Sequence, residues 1–290
     1  MKPLVFTKMH GTGNDYIYLD FLTGSPSPGL TPDDIPALCP LLSPRHFSVG
    51  SDGMVGICPP EDPANDAKMR MFNADGSESK MCGNAIRCVG KFLYDRGIVK
   101  REQLRIETPA GLKFLTLTVE NGRCTRVAVD MGTAVTAPDQ VPVTGYDAPV
   151  IGQLCRIGGM DCRATMLSMG NPHCVLFTDD PDTVDLPDIG PRIEHDPQFP
   201  ERINTEFVRV LGPQELQMRV WERGTGETYA CGTGTCASAA AAVLCGYCPP
   251  DKPIVVHLRG GDLTITVGQD LSIRMEGEAV TVFDGVCQIP

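Results

Sequence analysis

Two stretches of the chain place a cysteine and a glycine at the end of a polar, glycine-containing run. The first reads Asn73-Ala-Asp-Gly-Ser-Glu-Ser-Lys-Met-Cys82-Gly83-Asn84, and the second reads Glu222-Arg-Gly-Thr-Gly-Glu-Thr-Tyr-Ala-Cys231-Gly232-Thr233. Each has a glutamate four residues before its cysteine and a polar residue nine before it. The two cysteines lie about half the chain length apart, so we interpret the stretches as diverged copies of one duplicated unit.

Both cysteines are predicted at the beginning of a helix, because a helical apolar pattern follows each Cys-Gly pair. A helix N-terminus carries unpaired N–H groups and a partial positive charge, which bind anions and lower the pKa of a thiol. Cys82 and Cys231 are therefore the candidate reactive thiols, and the glycines would let a carboxylate approach the backbone. A carboxylate held between two such helix ends would present its Cα–H to one sulfur on each face. A thiolate base and a thiol acid in that arrangement would perform racemisation or epimerisation.

The chain has thirteen cysteines, and the other eleven lack this pattern. We interpret them as buried small hydrophobic residues or inert surface thiols. Cys245 and Cys248 form a Cys-x-x-Cys, but no second pair at metal-ligand spacing accompanies them, so no metal site is predicted. A thiol-based redox or metal-binding protein is the alternative from a different class. Stoichiometric metal, or thiol exchange without exchange at an amino-acid Cα, would favour that alternative.

Length and charge narrow the function classes further. A chain of 290 residues is enough for about two domains. A net charge of −11 without a lysine or arginine cluster argues against a nucleic-acid partner. No run approaches the ~18 apolar residues of a membrane span, and the first residues lack the features of a signal or transit peptide. The expected location is the cytoplasm, where cysteines stay free thiols.

Short strand-forming runs alternate with glycine and proline along the chain. The two helices that follow the paired cysteines are predicted to end at Gly97 and Gly246. Proline-rich segments at 25–44, 138–149 and 181–200 are interpreted as surface connections. The clearest predicted strands are Val5 to His10, Lys68 to Phe72, Leu112 to Val119, Leu216 to Trp221 and Leu263 to Val267.

Two further segments, 10–15 and 168–173, concentrate polar residues among glycines. Both are interpreted as tight turns in which asparagine and aspartate tolerate unusual dihedral angles. The first is not a dinucleotide fingerprint, because no helix is predicted directly after it. These segments would gain a function only if they join the cysteine sites.

Taken together, these stretches resemble the diaminopimelate epimerase family, and the match runs from Met9 to Glu278. The resemblance implies an α/β (α+β) fold with two pseudo-symmetric domains and an active site in the interdomain cleft. Each domain would be a curled, mostly antiparallel sheet around a central helix. The N-terminal domain with Cys82 would comprise 1–130 plus 278–290, and the C-terminal domain with Cys231 would comprise 131–277. The matching motifs are Met9-His-Gly-Thr-Gly-Asn-Asp15, Phe72-Asn-Ala-Asp-Gly-Ser-Glu78, Met81-Cys-Gly-Asn-Ala-Ile-Arg-Cys88, Met169-Gly-Asn-Pro-His-Cys174, Arg202-Ile-Asn204 and Trp221 to Gly234.

The resemblance also implies roles for individual residues. Cys82 and Cys231 match the acid–base pair, and His173 and Glu222 match groups that tune the thiols. The chain departs from the family at Gly53, where many members carry glutamine, and in having threonine rather than serine after Gly232. The substrate-binding positions implied are Asn14, Asn73, Gly83, Asn84, Asn171, Asn204, Glu222, Arg223, Gly232 and Thr233.

The implied reaction is the interconversion of LL- and meso-diaminopimelate, in lysine and peptidoglycan-precursor biosynthesis, without pyridoxal phosphate, metal or another cofactor. The expected partner is the substrate itself, with no nucleic acid or membrane; the oligomeric state is left open, a homodimer being one option. A proline-racemase-like relative is the alternative enzyme. Its first motif would carry histidine after Cys-Gly, where this chain has Asn84.

Overall fold

The computed structural model describes all 290 residues, and its elements are strands interrupted by four α-helices. The first part of the chain forms β1 (Lys2–Gly11), β2 (Asn14–Asp20), α1 (Ile35–Leu42), β3 (Gly53–Cys58), β4 (Ala67–Asn73), β5 (Glu78–Ser79), α2 (Gly83–Asp95), β6 (Gln103–Thr108), β7 (Gly111–Glu120) and β8 (Arg123–Thr133). The remainder forms β9 (Gln153–Ile157), β10 (Met160–Ser168), β11 (Pro172–Phe177), α3 (Leu186–Glu194), β12 (Asn204–Gly212), β13 (Glu215–Glu222), β14 (Gly226–Glu227), α4 (Gly232–Leu244), β15 (Pro253–Leu258), β16 (Gly261–Val267), β17 (Ser272–Glu278) and β18 (Val280–Ile289).

The chain divides into two compact units. The first comprises Met1–Asp130 and Glu276–Pro290, and the second comprises Met131–Met275. The last strand, β18, belongs to the first unit and pairs with β1 in antiparallel register from Lys2 opposite Ile289 to His10 opposite Val280. The first unit is therefore completed by the C-terminal strand of the chain.

The two units repeat one strand topology. In the first, β2 pairs parallel with β3, β3 antiparallel with β4, β4 with the short β5 and parallel with β6, and β6 antiparallel with β7. In the second, β11, β12, β13, β14, β15 and β16 pair in the same order and the same directions. The fold thus confirms the duplication and the predicted mixed α/β class.

One buried helix occupies the same place in each repeat, α2 after β5 and α4 after β14, and each has 13 residues. Almost every residue from Gly83 to Leu93 is buried, as is the alanine-rich segment from Ala237 to Ala242. Small side chains let the strands approach the α4 backbone closely. Both predicted helices are confirmed, and the five predicted strands lie within β1, β4, β7, β13 and β16.

The interpretation of the proline-rich segments as surface connections is wrong for 25–44 and 181–200, which contain helices, while 138–149 is a connection without helix or strand. Segment 25–44 contains a 3-10 turn and α1, which buries Ile35, Leu38 and Leu42. Segment 181–200 contains α3, and 138–149 contributes buried valines to the core. Pro36 and Pro187 lie in the first turn of α1 and α3, where the missing N–H has no partner within the helix anyway, while Pro40 and Pro191 lie further inside these short helices. None of the helices is both long and apolar enough to cross a membrane.

Candidate active site

Cys82 is the N-cap of α2. Its backbone is extended (φ −140°, ψ 120°), and its Sγ accepts a hydrogen bond from the Ala85 N–H at 3.5 Å. Gly11 lies against this first turn, where an added Cβ would sit 2.8 Å from the carbonyl oxygen of Asn84. Glycine at the end of β1 is therefore needed for the chain to approach the N-terminal end of α2, which we call the helix mouth.

Asn14 lies at the start of β2, beside Cys82. Its Oδ1 accepts from the Cys82 Sγ at 3.4 Å and from the Asn84 Nδ2 at 3.5 Å. The turn before it places Thr12 (φ 55°) and Gly13 (φ 79°) in the left-handed region, as expected of a tight turn. The structure thus brings together three of the residues implied for the first half of the site.

Asp52 holds the other end of the Asn14 amide, accepting from Nδ2 at 2.8 Å. The same carboxylate accepts from the Asp15 backbone N–H at 3.0 Å and from Arg45 at 2.9 Å. Burial alone would raise the pKa of Asp52, but the hydrogen bonds from Arg45, Asp15 and Asn14 lower it overall. Asp52 is therefore an ionised acceptor beside the candidate site.

Tyr16 adds a phenol to this group. Its side chain is buried, and burial followed by the nearby Cys82 thiol raises the pKa of Tyr16 well above its usual range. Its hydroxyl therefore stays protonated and can donate a hydrogen bond.

Asn73 stands apart from these contacts. It is exposed at the end of β4, and its Nδ2 donates to the Ser77 Oγ of the following turn at 2.9 Å. Its strand partner is Gly53, where an added Cβ would lie 2.0 Å from the Phe72 carbonyl oxygen. No side chain fits at position 53 without movement of the β3–β4 backbone, which accounts for the glycine at this position.

Cys231 is the N-cap of α4 and repeats the arrangement of the first unit. Its backbone is extended, and its buried Sγ accepts from the Gly234 N–H at 3.3 Å. The Thr233 Oγ1 lies 3.5 Å from the sulfur. A Cβ at Gly234 would lie 2.6 Å from the Glu206 Oε1, so the third helical residue has no room for a side chain.

A chain of side-chain contacts leads from this mouth into the core. The Thr233 Oγ1 accepts from the Asn171 Nδ2 at 3.4 Å, and the Asn171 Oδ1 lies 3.1 Å from the His173 Nε2. The His173 Nδ1 lies 2.7 Å from the Glu206 Oε1. Both His173 and Glu206 are fully buried, and the second carboxylate oxygen of Glu206 has no hydrogen-bond partner. His173 is thus linked to Cys231 through Asn171 and Thr233.

The expectation that the helix mouth lowers the thiol pKa is wrong for Cys231 in this structure. Burial is the largest influence and raises the pKa of Cys231 well above its usual range, and the carboxylates of Glu222 and Glu206 raise it further. The hydrogen bonds from Thr233 and Gly234 offset only part of this increase. Cys231 is therefore a protonated thiol at neutral pH.

Asn204 and Arg223 are positioned by the backbone around them. The buried Asn204 amide donates from Nδ2 to the Pro172 carbonyl at 3.0 Å and accepts at Oδ1 from the Arg223 N–H at 2.9 Å. The Arg223 guanidinium donates to the Glu201 carbonyl at 2.7 Å, and Glu222 accepts from the Thr228 hydroxyl. Asn204 therefore fixes the loop that carries Glu222 and Arg223.

Sequence reasoning missed Asp52, Tyr16 and Glu206. Glu206 directly precedes the apolar pair Phe207-Val208, and this is the only signal in the sequence that its carboxylate is buried. Asp52 and Tyr16 gave no comparable signal, because their role depends on strand pairing. No group of three histidine, cysteine, aspartate or glutamate side chains is arranged to hold a metal ion.

Solved structures with a similar fold carry several different descriptions. A phenazine biosynthesis protein of the PhzF family from Bacillus anthracis superposes with a TM-score of 0.68 at 18% identity, covering 100% of each chain. A probable proline racemase from Agrobacterium radiobacter K84 has a TM-score of 0.68 at 17% identity, covering 100% of this chain and 93% of the other. At this identity the likeness concerns the fold alone.

Sequence comparison is more specific. A relative from Pelotomaculum thermopropionicum, named diaminopimelate epimerase, is 48% identical over 280 residues, which is 97% of each chain. Another of that name, from Methanothermobacter thermautotrophicus, is 46% identical over 286 residues, or 98% of each chain. Residues 6–137 and 165–282 match the model of the family described as diaminopimelate epimerase. The chain, with its two cysteine-capped helices, belongs to the diaminopimelate epimerase family.

Proposed function

We propose that this enzyme interconverts LL- and meso-diaminopimelate by a two-thiol mechanism. The observation that carries the proposal is that each unit of a duplicated fold presents one cysteine as the N-cap of a buried helix. Inversion at a carbon needs a base on one face and an acid on the other. Two equivalent mouths supply one thiol for each face, with Cys82 and Cys231 acting on the same α-carbon.

The α-carboxylate of the substrate is proposed to bind backbone N–H groups at the helix mouths. The first N–H groups of a helix have no partner within that helix, and the dipole favours a negative charge there. In both mouths the third N–H of the helix is taken by the cysteine sulfur. The N–H groups of Gly83 and Asn84, and of Gly232 and Thr233, are the ones assigned to the carboxylate.

The acid–base step moves one proton on each side of the carbon. A thiolate removes the α-hydrogen and becomes a thiol, and the opposite thiol gives its proton to the other face and becomes a thiolate. Because the raised pKa keeps Cys231 protonated when the site is empty, Cys231 can act as the proton donor at neutral pH. Glu222 and Glu206 maintain that state by opposing a second negative charge nearby.

The remaining polar residues are proposed to hold the second ammonium and carboxylate of the substrate. Asn14, Asn73, Asn171, Glu222 and Arg223 offer acceptors for an ammonium and donors for a carboxylate. A site that pairs with both charged ends of the substrate selects a diamino diacid over a smaller amino acid. The smaller molecule lacks the second ammonium and carboxylate, so the polar groups of the site that would bind them stay unpaired. Proline is therefore expected to be a poor substrate.

Lysine and peptidoglycan-precursor synthesis in the cytoplasm is the proposed setting, with no cofactor and no nucleic-acid partner. The thirteen cysteines are all free thiols, which suits a reducing compartment. The negative charge of the chain disfavours phosphate backbones.

The test is to incubate purified enzyme with LL-diaminopimelate in deuterated water under reducing conditions, without added cofactor. NMR is expected to show deuterium at one α-carbon together with the meso isomer. Proline in a parallel sample is the control. No exchange into diaminopimelate, or racemisation of proline at a comparable rate, would contradict the proposal.

A further inference from the structure

The direction of the Asn14 amide is determined by Asp52, a residue to which the family resemblance assigned no role. Asn14 can present either its oxygen or its nitrogen to Cys82, since the two ends of an amide have the same shape. The group on its far side is the Asp52 carboxylate, 2.8 Å from Nδ2. An ionised carboxylate only accepts hydrogen bonds, so the nitrogen must face Asp52 and the oxygen must face Cys82.

Asp52 is itself held firmly in place. Its backbone N–H donates to the Asp15 carbonyl at 2.8 Å, just before β3 pairs in parallel with β2. Its Oδ2 accepts from both Asn14 and the Asp15 N–H, while its Oδ1 accepts from Arg45. The carboxylate therefore accepts three hydrogen bonds, and the backbone of Asp52 makes a fourth, so the side chain has little freedom to turn away from Asn14.

We propose that Asp52 is a positioning residue for the Cys82 half of the site, which fixes the carbonyl oxygen of Asn14 against the thiol. The proposal rests on the two-thiol function. With the oxygen in this place, the Cys82 S–H has a hydrogen-bond acceptor at 3.4 Å while the site is empty.

The same oxygen is the acceptor that a substrate ammonium would take. An ammonium bound there displaces the S–H hydrogen bond and places a positive charge beside the sulfur, and both changes favour the thiolate. Asp52 thus couples substrate binding to activation of Cys82. A reversed Asn14 would instead direct two N–H groups at the sulfur and repel the ammonium.

The test compares the alkylation of Cys82 and Cys231 by iodoacetamide in the substrate-free enzyme, measured by peptide mass spectrometry. Asp52→Asn keeps the shape of the side chain but lets Asn14 reverse. Cys82 is expected to react about tenfold faster, since a hydrogen bond that opposed the thiolate is replaced by one that stabilises it. Cys231 in the same sample is the internal reference and should keep its rate, and the KM for diaminopimelate should rise.

A matched control distinguishes the orientation of the Asn14 amide from the mere loss of a negative charge near Cys82. Asp15→Asn removes a carboxylate from the same cluster, but the Asp15 side chain is paired with Lys8 and Arg45 rather than with Asn14. This variant is expected to change the Cys82 rate by less than about twofold, because the Asp15 charge is offset by Lys8 and Arg45 and its carboxylate makes no hydrogen bond with the Asn14 amide. An equal acceleration in both variants would overturn the proposal in favour of simple charge repulsion.

A double-mutant comparison tests the path. In an Asn14→Ala background, Asp52→Asn is expected to have no further effect on Cys82, because the amide that transmits it is gone. The same acceleration with and without Asn14, or no acceleration in either background, would refute the proposal. The alkylation rates are measured without substrate, so their outcome tests the role of Asp52 separately from the proposed epimerase activity.

The wild-type enzyme offers a check that depends on no variant. The Asn14 side-chain N–H and the Asp15 backbone N–H donate to the same Asp52 oxygen, so their hydrogens must be close. NMR is expected to show a nuclear Overhauser effect between them. Its absence, with both signals observed, would show that the amide is reversed and would contradict the proposal.

Discussion

Gly234→Ala tests whether the Cys231 mouth depends on the buried Glu206–His173 contact. The new methyl would start 2.6 Å from the Glu206 Oε1 and 3.3 Å from the Cys231 Sγ. To reach an ordinary contact distance, the carboxylate must move by almost an ångström, which breaks its 2.7 Å bond to His173. A buried hydrogen bond to a charged group contributes about 1.5–3 kcal/mol, and alanine returns up to about 1 kcal/mol of helix propensity.

The free energy of unfolding should therefore fall by about 1–2 kcal/mol, which lowers Tm by roughly 2–8 °C in a chain of this size. Displacement of groups beside the sulfur should also lower kcat by roughly 10- to 100-fold. Calorimetry and the isotope-exchange assay measure the two effects. Gly212→Ala is the matched control, because a Cβ there meets nothing within 4 Å. A Gly234→Ala enzyme as stable and active as this control would refute the reasoning.

Three further predictions concern the same residues. Glu222→Gln removes a carboxylate that raises the pKa of Cys231, so the thiolate fraction and the alkylation rate of Cys231 at neutral pH should increase; an unchanged rate would argue against the electrostatic role. Arg223→Ala and Asn204→Ala should each lower kcat/KM, by a factor that corresponds to roughly 2–5 kcal/mol in the free-energy barrier, because a charged end of the substrate loses its partner or the loop that positions it. Unchanged steady-state constants would remove both residues from the site. Mild oxidant should inactivate the enzyme by linking Cys82 to Cys231, with protection by substrate and recovery by reductant; peptide mapping that finds these two thiols free in inactive enzyme would contradict this.

The parts of the fold that were predictable from sequence were those with a local pattern. Helix α2 has apolar residues at helical spacing between an N-capping Cys82 and Gly97, and the alternating strands carry period-two burial. Helices α1 and α3 were missed because their prolines were taken as breakers. In both, proline lies in the first turn, and the buried face is decided by packing against the sheet.

The two cysteine helix caps of the candidate site were predictable from the sequence, but the contacts around them were not. The repeated Cys-Gly pattern identified both helix caps, and the structure adds that the surroundings differ: the Cys82 sulfur contacts a neutral amide, while Cys231 lies near two carboxylates. Glu222 belongs to the same stretch as Cys231, whereas Glu206, and Asp52 beside Asn14, are brought to these sites by strand pairing from more distant positions in the sequence. Burial, a property of tertiary packing, also reversed the expected pKa of Cys231.

The most direct test of the two-thiol account is isotope exchange in enzymes that keep only one thiol. Cys82→Ala and Cys231→Ala are incubated separately with LL- and with meso-diaminopimelate in deuterated water. Each variant is expected to exchange the α-hydrogen of at most one isomer, with retention of configuration, and neither should interconvert the isomers, since each face has its own proton carrier. Interconversion by either variant at a rate near that of the wild-type enzyme would contradict the account.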